Sequence, residues 1–509
     1  MKRNIFRINL FAVVVFSSSN VFGQTIPTQL ESLFASPQKP INGNVLVAEN
    51  GSVIYKKSFG FADFKNKIPN SVSSRFNIAS ISKTFTAVAV LQLKEKGKLK
   101  LDDSVKKYLP EFPYPVITIR NLLSHTSGLP DFELFDDLDD KVITNQHILP
   151  SLNKWKAPLY FKAGEQWGYS NVNFELLLLV VEKVSRQPFR TYLQENIFSK
   201  ARMLDTYLLE DYLHERKDRY RVLNHEIPTL YAEDPIDAEN KVFPFVIGRH
   251  RLSGLKGSGD IISTTDDLLK YDQSLYDGSL LTQSTLDEAF TPTKLSNGEN
   301  AYTTILSGTK NAYGLGWFIF DDTSNGKIVW HTGGFPGTRS ILLRNISKHQ
   351  TVILLDNASS VGIYRNGVNA MNILNKVTPL LIIKRSLVRE YAKVLVAKNV
   401  DAAYCKLREL QADSAQYNMD EDEMNNMGLA LLADTAIIGH REKALEALKL
   451  NTLLFPESYN AFDSYGEALA KTGQNAEAIS MYKRSLTLNP QSDSGKKALE
   501  KLLRKKSAR

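Results

Sequence analysis

Strand-like sequence in two widely separated places constrains this chain more than any other feature. Gly43 to Ala48 and Ser52 to Phe59, joined across Glu49-Asn50-Gly51, read as a hairpin. Much later, Lys327 to His331, Thr338 to Asn345 and Gln350 to Asp356 read as three further strands. Between the two groups, from Ser80 to about residue 290, the sequence reads as mainly helical with long loops. Strands flanking a helical insert predict an antiparallel sheet covered by helices, with a second helical lobe: an α+β architecture. At 509 residues the chain is too long for one ordinary domain, and an apolar fraction of 43% can fill large cores.

Three short motifs sit within that frame: Ser80-Ile81-Ser82-Lys83, Tyr169-Ser170-Asn171 and His331-Thr332-Gly333. None of the three is convincing alone. Ser-x-x-Lys also begins at Ser36, Ser104, Ser307 and Ser480, among others, and Tyr-x-Asn recurs at Tyr364. Context selects Ser80. Strand-like residues, Phe76 to Ala79, precede it, and Thr84 to Lys96 follows without Pro or Gly and with helical apolar spacing. Residues three apart share a helix face, so the Lys83 amine points back towards the Ser80 hydroxyl. A helix start adds unpaired backbone N–H groups and a partial positive charge that favour a developing oxyanion. A serine is a poor nucleophile until a neighbouring base takes its proton. A lysine can be that base only when burial or nearby positive charge lowers its pKa. Taken together, the motifs point to acyl transfer.

The run Arg75 to Lys83 resembles the active-site box of the penicillin-recognising serine hydrolases. The nearest branch holds class C β-lactamases, D-alanyl-D-alanine carboxypeptidases, D-aminopeptidases and related esterases. The resemblance spans about residues 40 to 375. It runs through Thr118 to Leu129, Phe161 to Glu165, Gly257 to Leu268 and Tyr313 to Trp317. It implies a β-lactamase/transpeptidase-like fold with the active site in the cleft between the lobes. Ser80 would then form the acyl-enzyme and Lys83 would help activate it. Tyr169 would be the second base, its pKa of about 10 lowered by nearby cations that Lys83 and a protonated His331 could supply. Asn171 would bind the substrate amide and fix Lys83. Thr332, Gly333 and Gly334 would line the substrate, with the Gly334 N–H completing an oxyanion site opposite that of Ser80.

One residue departs from the β-lactamase pattern. His331 stands where β-lactamases of this branch usually carry lysine, which favours peptidase or esterase activity over efficient β-lactam hydrolysis. A histidine there would be charged part of the time near neutral pH. Arg339 could replace the missing cation, or be an ordinary exposed strand arginine.

The first 23 residues read as a secretory signal: Lys2, Arg3 and Arg7, an apolar core from Ile8 to Phe16, and the small-residue site Val21-Phe22-Gly23. Beyond it no stretch reaches the roughly 18 apolar residues of a membrane span, so an exported protein, periplasmic or secreted, is expected. Cys405 is the only cysteine, excludes an internal disulfide, and reads as a buried thiol. The eight histidines show no ligand spacing, so no metal site or other cofactor is expected. Of the formal charge of +8, the tail Lys496 to Arg509 carries +6 and the signal +3, which leaves about −1 for the rest. That body is not a nucleic-acid binder. The tail reads as a solvated, partly frayed helix end.

From about Thr378 the composition changes. Gly439, Ala444 and Pro456 recur as Gly473, Ala478 and Pro490, each 34 residues later, which is the tetratricopeptide period. Gly428 lies 38 residues before Gly466, as though the first repeat's leading helix were one turn longer. Two repeats bury little surface alone, so they should lean on helices within residues 379–412. The expected organisation is a signal (1–23), a hydrolase domain (24–377), a helical connector (378–424) and an all-α tetratricopeptide-type module with the basic tail (425–509). The repeats would either bind a protein partner or cap the fold. Two functions follow: a serine hydrolase acting on a D-amino-acid peptide, β-lactam or small ester, or a slow penicillin-binding sensor working through its repeats.

Overall fold

The computed structural model describes residues 25–35, 41–64, 66–210, 251–303, 310–335, 337–358, 360, 362–378, 385–414, 416–433, 435 and 437–507. The expected signal, Ser36 and Ser307 lie outside them. An antiparallel sheet of eight strands forms the centre of the first part. Its strands in chain order are β1 (Gly43–Glu49), β2 (Ser52–Phe59), β3 (Tyr302–Thr303), β4 (Asn311–Tyr313), β5 (Phe318–Phe320), β6 (Ile328–Phe335), β7 (Thr338–Asn345) and β8 (Gln350–Asp356). They lie in the order β2-β1-β8-β7-β6-β5-β4-β3. The hairpin read near the start therefore joins the three late strands through β1 and β8, which pair from Gly43 with Asp356 to Glu49 with Gln350.

Alternation explains why these segments read as strands. Successive side chains leave opposite faces of a strand. Leu46, Ala48, Val329, Leu342, Ile353 and Leu355 enter the larger core, which holds helix α2 (Ser82–Glu95) and α3 (Asn171–Ser185). Val45, Val47, Trp330, Ile341, Leu343, Val352 and Leu354 enter a second core on the other face, with α1 (Ile26–Phe34) and α5 (Ile363–Leu374). Helix α4 (Thr265–Tyr276) is tied to the sheet by the wholly buried pair Arg344 and Asp272, where Thr351 also donates to the carboxylate at 2.6 Å. Helix α2 is buried at every residue from Ser82 to Leu93, so it is the central post of the molecule and fixes whatever sits at its start.

The C-terminal part is mainly helical: α6 (Leu387–Ala397), α7 (Val400–Gln411), α8 (Glu421–Ala433), α9 (His440–Leu454), α10 (Tyr459–Lys471), α11 (Asn475–Leu488) and α12 (Asp493–Ser507), with one short parallel strand pair, Arg385–Ser386 and Tyr417–Asn418, beside α6 and α7. As expected, α8 and α9 share a core with α6 and α7: Met424, Met427, Ala444 and Leu450 pack with Leu387, Tyr391 and Leu407. Gly439 and Gly473 both take left-handed φ, +69° and +87°, just before α9 and α11, and Ala444 and Ala478 are both fully buried. A β-carbon on Gly466 would sit 3.3 Å from the Tyr482 ring, and one on Gly428 would sit 2.5 Å from Leu448, so each helix pair closes over a glycine.

Three expectations need correction here. Helices α8 and α10 have 13 residues each, so the extra residues of the first copy lie in the connection between Ala433 and His440 and not in a longer helix. Cys405 is exposed: Ala403, Leu407 and Leu410 form the buried face of α7, and position 405 points the other way. The basic tail is a solvated helix end as read, but among the described residues it is not frayed: α12 runs to Ser507 and buries Leu502 against Leu469 and Tyr482. No described helix is long and apolar enough to cross a membrane.

Candidate active site

Ser80 occupies a 3₁₀ turn, Ala79–Ile81, wedged between a short strand and α2. Phe76–Asn77 pairs with Ile261–Ser263, and Ile78 N–H continues that pairing to Ile261 O at 2.9 Å. The chain then turns sharply: Ala79 takes φ +46°, and its N–H bonds back to Asn77 Oδ1 at 2.6 Å. A left-handed conformation at a residue with a β-carbon is costly and holds only where neighbours enforce it. The enforcing neighbour on the far side is β6. A β-carbon on Gly333 would lie 2.3 Å from Ile78 O and 2.9 Å from the Ala79 side chain, so only glycine lets β6 lie against the Ser80 turn. Gly333→Ala should lower stability by about 1–3 kcal/mol, the usual cost of overpacking, read as a fall in thermal midpoint together with lost reactivity at Ser80.

Lys83 begins α2 with no solvent exposure. Its Nζ reaches three acceptors: Ser80 Oγ at 3.0 Å, Asn171 Oδ1 at 2.7 Å and the Ser258 backbone carbonyl at 2.8 Å. Burial pushes its pKa down to about 7, against the opposing pull of Asp131, Glu175 and Asp260. Asn171 is held by Asp131, whose two oxygens accept its backbone N–H at 2.7 Å and its side-chain amide at 3.0 Å. That clip turns the amide oxygen towards Lys83. The segment before it is gripped by the His125 to Pro130 loop: Ser170 donates to Pro130 O, and its N–H bonds to His125 Nδ1. Tyr169 stacks on His125 at 4.4 Å between ring centres, lines the pocket beside Ser80, and has the Lys83 amine 4.9 Å over its ring.

Electrostatically, two residues differ from expectation. The Tyr169 phenol is half-buried in the pocket wall, and desolvation raises its pKa well above the ordinary value of about 10 instead of lowering it. His331 is neutral. Only 1% exposed, it is pushed down to about 3 by burial and by Lys83. Its Nδ1 donates to Thr332 O at 2.6 Å while Nε2 accepts from the Tyr313 hydroxyl at 3.3 Å. Neither a cation for Tyr169 nor one for substrate comes from this histidine. Arg339, directly opposite Gly334 on β7, supplies a positive charge in the pocket wall instead.

The pocket above Ser80 has a volume of about 340 Å³. It brings together Ser80, Tyr169, Asn171, His331, Thr332 and Gly334 with Phe132, Phe318, Phe335, Arg339 and Tyr364. Gly333 lies beneath it, and Lys83 behind Ser80. Among the described residues, β5 pairs with β6 at Val329 and Trp330 alone. From His331 onward that side of β6 is an edge facing the pocket, with backbone groups open to an extended ligand.

The Beta-lactamase family model matches residues 32–363, well over half of the chain. The chain belongs to that family. Penicillin-binding protein 4* of Bacillus subtilis (strain 168) is 36% identical over 337 residues, 64% of this chain and 71% of that protein. Among solved structures, a penicillin binding protein from Bacillus halodurans has a TM-score of 0.56 at 27% identity and covers 69% of this chain and 99% of its own. D-amino acid amidase from Ochrobactrum anthropi SV3, solved with L-phenylalanine amide, has a TM-score of 0.56 at 25% identity and covers 69% and 97%. With those neighbours, the chain is a serine hydrolase of this family.

Sequence reading missed His125, Asp131, Glu175, Ser258 and Asp260. His125, Ser258 and Asp260 lie inside runs already singled out for resemblance. Asp131 follows such a run by two residues. Glu175 carried a signal of its own, as the one charge in the apolar start of α3, from Val172 to Val181.

Proposed function

We propose that this is an exported hydrolase that forms an acyl-enzyme at Ser80 on an amide or ester: a D-amino-acid peptide, a β-lactam or a small ester. The hydrogen-bond count at Lys83 carries the reading. An ammonium offers three N–H groups, and a neutral amine only two. Asn171 Oδ1 and Ser258 O can only accept, so they take both N–H groups of the neutral amine. The lone pair is then left facing the Ser80 hydroxyl. With a pKa of about 7, that neutral form is well populated near neutrality.

In the forward step the Ser80 proton passes to Lys83 Nζ as Oγ bonds the substrate carbonyl. The resulting oxyanion would lie between the N–H groups of Ser80 and Gly334. Tyr169, kept protonated by burial, would donate its proton to the leaving group and be reprotonated from Lys83. Water would then release the acyl group by the reverse path. Thr332 and Gly334 would hold an extended substrate along the open edge of β6. Arg339 favours substrates with a carboxylate near the scissile bond. The aromatic wall of Phe132, Phe318, Phe335 and Tyr364 suits an apolar side chain.

The leader in residues 1–23 supports export, and we keep the divisions 24–377, 378–424 and 425–509. We read the last as tetratricopeptide-type repeats, supported by the 34-residue period and the matching glycine contacts, and place a protein partner there. The alternative, a slow penicillin-binding sensor, differs in lifetime of the acyl-enzyme. Intact-protein mass spectrometry with a fluorophosphonate and a labelled penicillin tests both. The expected result is one adduct, mapped to the Phe76–Lys83 tryptic peptide, that decays within the assay. A stable adduct would favour the sensor, and no adduct with either probe would overturn the acyl-enzyme.

A further inference from the structure

Three carboxyl groups act on Lys83, the buried Glu175 and Asp260 and the half-buried Asp131, and one of them has no evident structural task. Asp131 orients Asn171. Asp260 accepts the Gly257 N–H at 2.8 Å and shapes the loop that carries Ser258. Glu175 stands on α3 one turn beyond Asn171, with no exposure at all. Its Oε1 accepts the Ser258 hydroxyl at 2.9 Å, while its Oε2 has no hydrogen-bond partner. The carbonyl of this same Ser258 receives Lys83. Burying a carboxyl group with half of its acceptor capacity unused is costly. A glutamine would accept the Ser258 hydroxyl equally well.

We propose that Glu175 is a positioning residue for acylation: it pins the Ser258 carbonyl that takes one Lys83 proton, and by exchanging charge with Lys83 it sets the pH at which the amine becomes available to Ser80. The inference rests on the Ser80 acyl-enzyme reading. The groups facing Glu175 are Lys83 from α2, Asp131 from the loop before Tyr169, and Asp260 from the loop after Ser258, with Lys256 acting on Asp260. The one ammonium that all three carboxyls share cannot balance them all, so protons must be shared among them. In line with this, burial pushes Glu175 up to about 8 and Asp260 up to about 6. Whatever fraction of Glu175 is ionised stabilises the Lys83 ammonium. Removing that carboxylate lets Lys83 give up its proton at lower pH.

The test is single-turnover acylation of the full-length mature chain by a labelled penicillin, followed across pH for wild type and Glu175→Gln. Glutamine keeps the shape and the acceptor for Ser258 but cannot ionise. The midpoint of the rise in acylation rate is expected to move down by less than about one pH unit, because only the ionised fraction of Glu175 holds the proton on Lys83. The Ser80 adduct should still form. A purely structural role would change the rate equally at every pH, and a midpoint equal to wild type would overturn the proposal. Ser258→Ala supplies an independent reading. Without the hydroxyl the Glu175 carboxylate is less favoured, so the midpoint should move the same way by less. If Glu175→Gln does not accumulate folded, this variant decides: a lowered midpoint supports the proposal and an unmoved one overturns it. Absence of any adduct on wild type would instead defeat the acyl-enzyme reading itself.

Discussion

Ser80→Ala is expected to abolish the covalent adduct and to lower turnover by on the order of 10⁴–10⁶, the loss seen when a serine hydrolase loses its nucleophile. The fold should barely register the change. Ser80 is half-buried on the pocket wall, and its hydroxyl is one of three acceptors for Lys83. Its loss leaves the other two in place, for a stability change within about 1 kcal/mol. Ligand affinity without chemistry should survive too, because the β6 edge, Arg339 and the aromatic wall do not depend on the hydroxyl. The neighbouring serine cannot substitute. Ser82 is wholly buried, and its Oγ is taken by the Ile261 N–H at 3.1 Å. An adduct that persisted on Ser80→Ala would therefore place the nucleophile outside this turn and remove the basis of the proposed mechanism. The decisive comparison is adduct mass, melting temperature and non-covalent penicillin affinity on the same two preparations.

Five of the eight strands were legible: β1, β7 and β8 carry apolar residues on both buried faces, and β1, β2, β7 and β8 begin and end within a residue of where the sequence places them. By contrast β3, β4 and β5, two or three residues each, were too short to read. The 3₁₀ turn at Ser80 was not. Its left-handed Ala79 is imposed by Ile261 on one side and Gly333 on the other, and neither is near it in sequence. The three boxes disclosed which residues meet, but not their charge. An ordinary histidine pKa of about 6.5 suggested a partly charged His331, whereas its burial and its bonds to Thr332 O and Tyr313 hold it neutral. Tyr169 failed in the same way. Its local motif gives no hint that His125 would cover it. In the helical module the 34-residue spacing was readable, yet the site of the insertion was not. Four extra residues are close to one helical turn of 3.6, so the apolar phase survives whether they lengthen a helix or, as here, the connection between Ala433 and His440.

Lys83→Met should cost acylation about 10²–10⁴-fold, the range for loss of a positioned general base, and should also remove the rise in rate through about pH 7 that titration of Lys83 gives the wild type. Its effect on stability has a sign that depends on pH. The lysine's folded pKa lies below its unfolded value, so the folded state binds fewer protons between about 7 and 10.5 and gains stability as pH rises across that window. Glu175 works in the opposite sense. Its folded pKa of about 8 lies above its unfolded value near 4.5, so its contribution is complete below 4.5 and is lost as pH rises to 8. In Lys83→Met the first contribution disappears. The second grows, because Asp131, Glu175 and Asp260 lose the cation they share and hold their protons more tightly. The variant should therefore be most stable in mild acid and weaken steadily towards pH 8, where the buried carboxyls of Glu175 and Asp260 must either ionise without Lys83 or keep their protons against the solvent. Urea unfolding at several pH values would show this as a midpoint that falls with rising pH. A midpoint flat from acid to pH 8 would mean that the carboxyls do not feel Lys83, and the charge balance assigned to the cluster would be wrong.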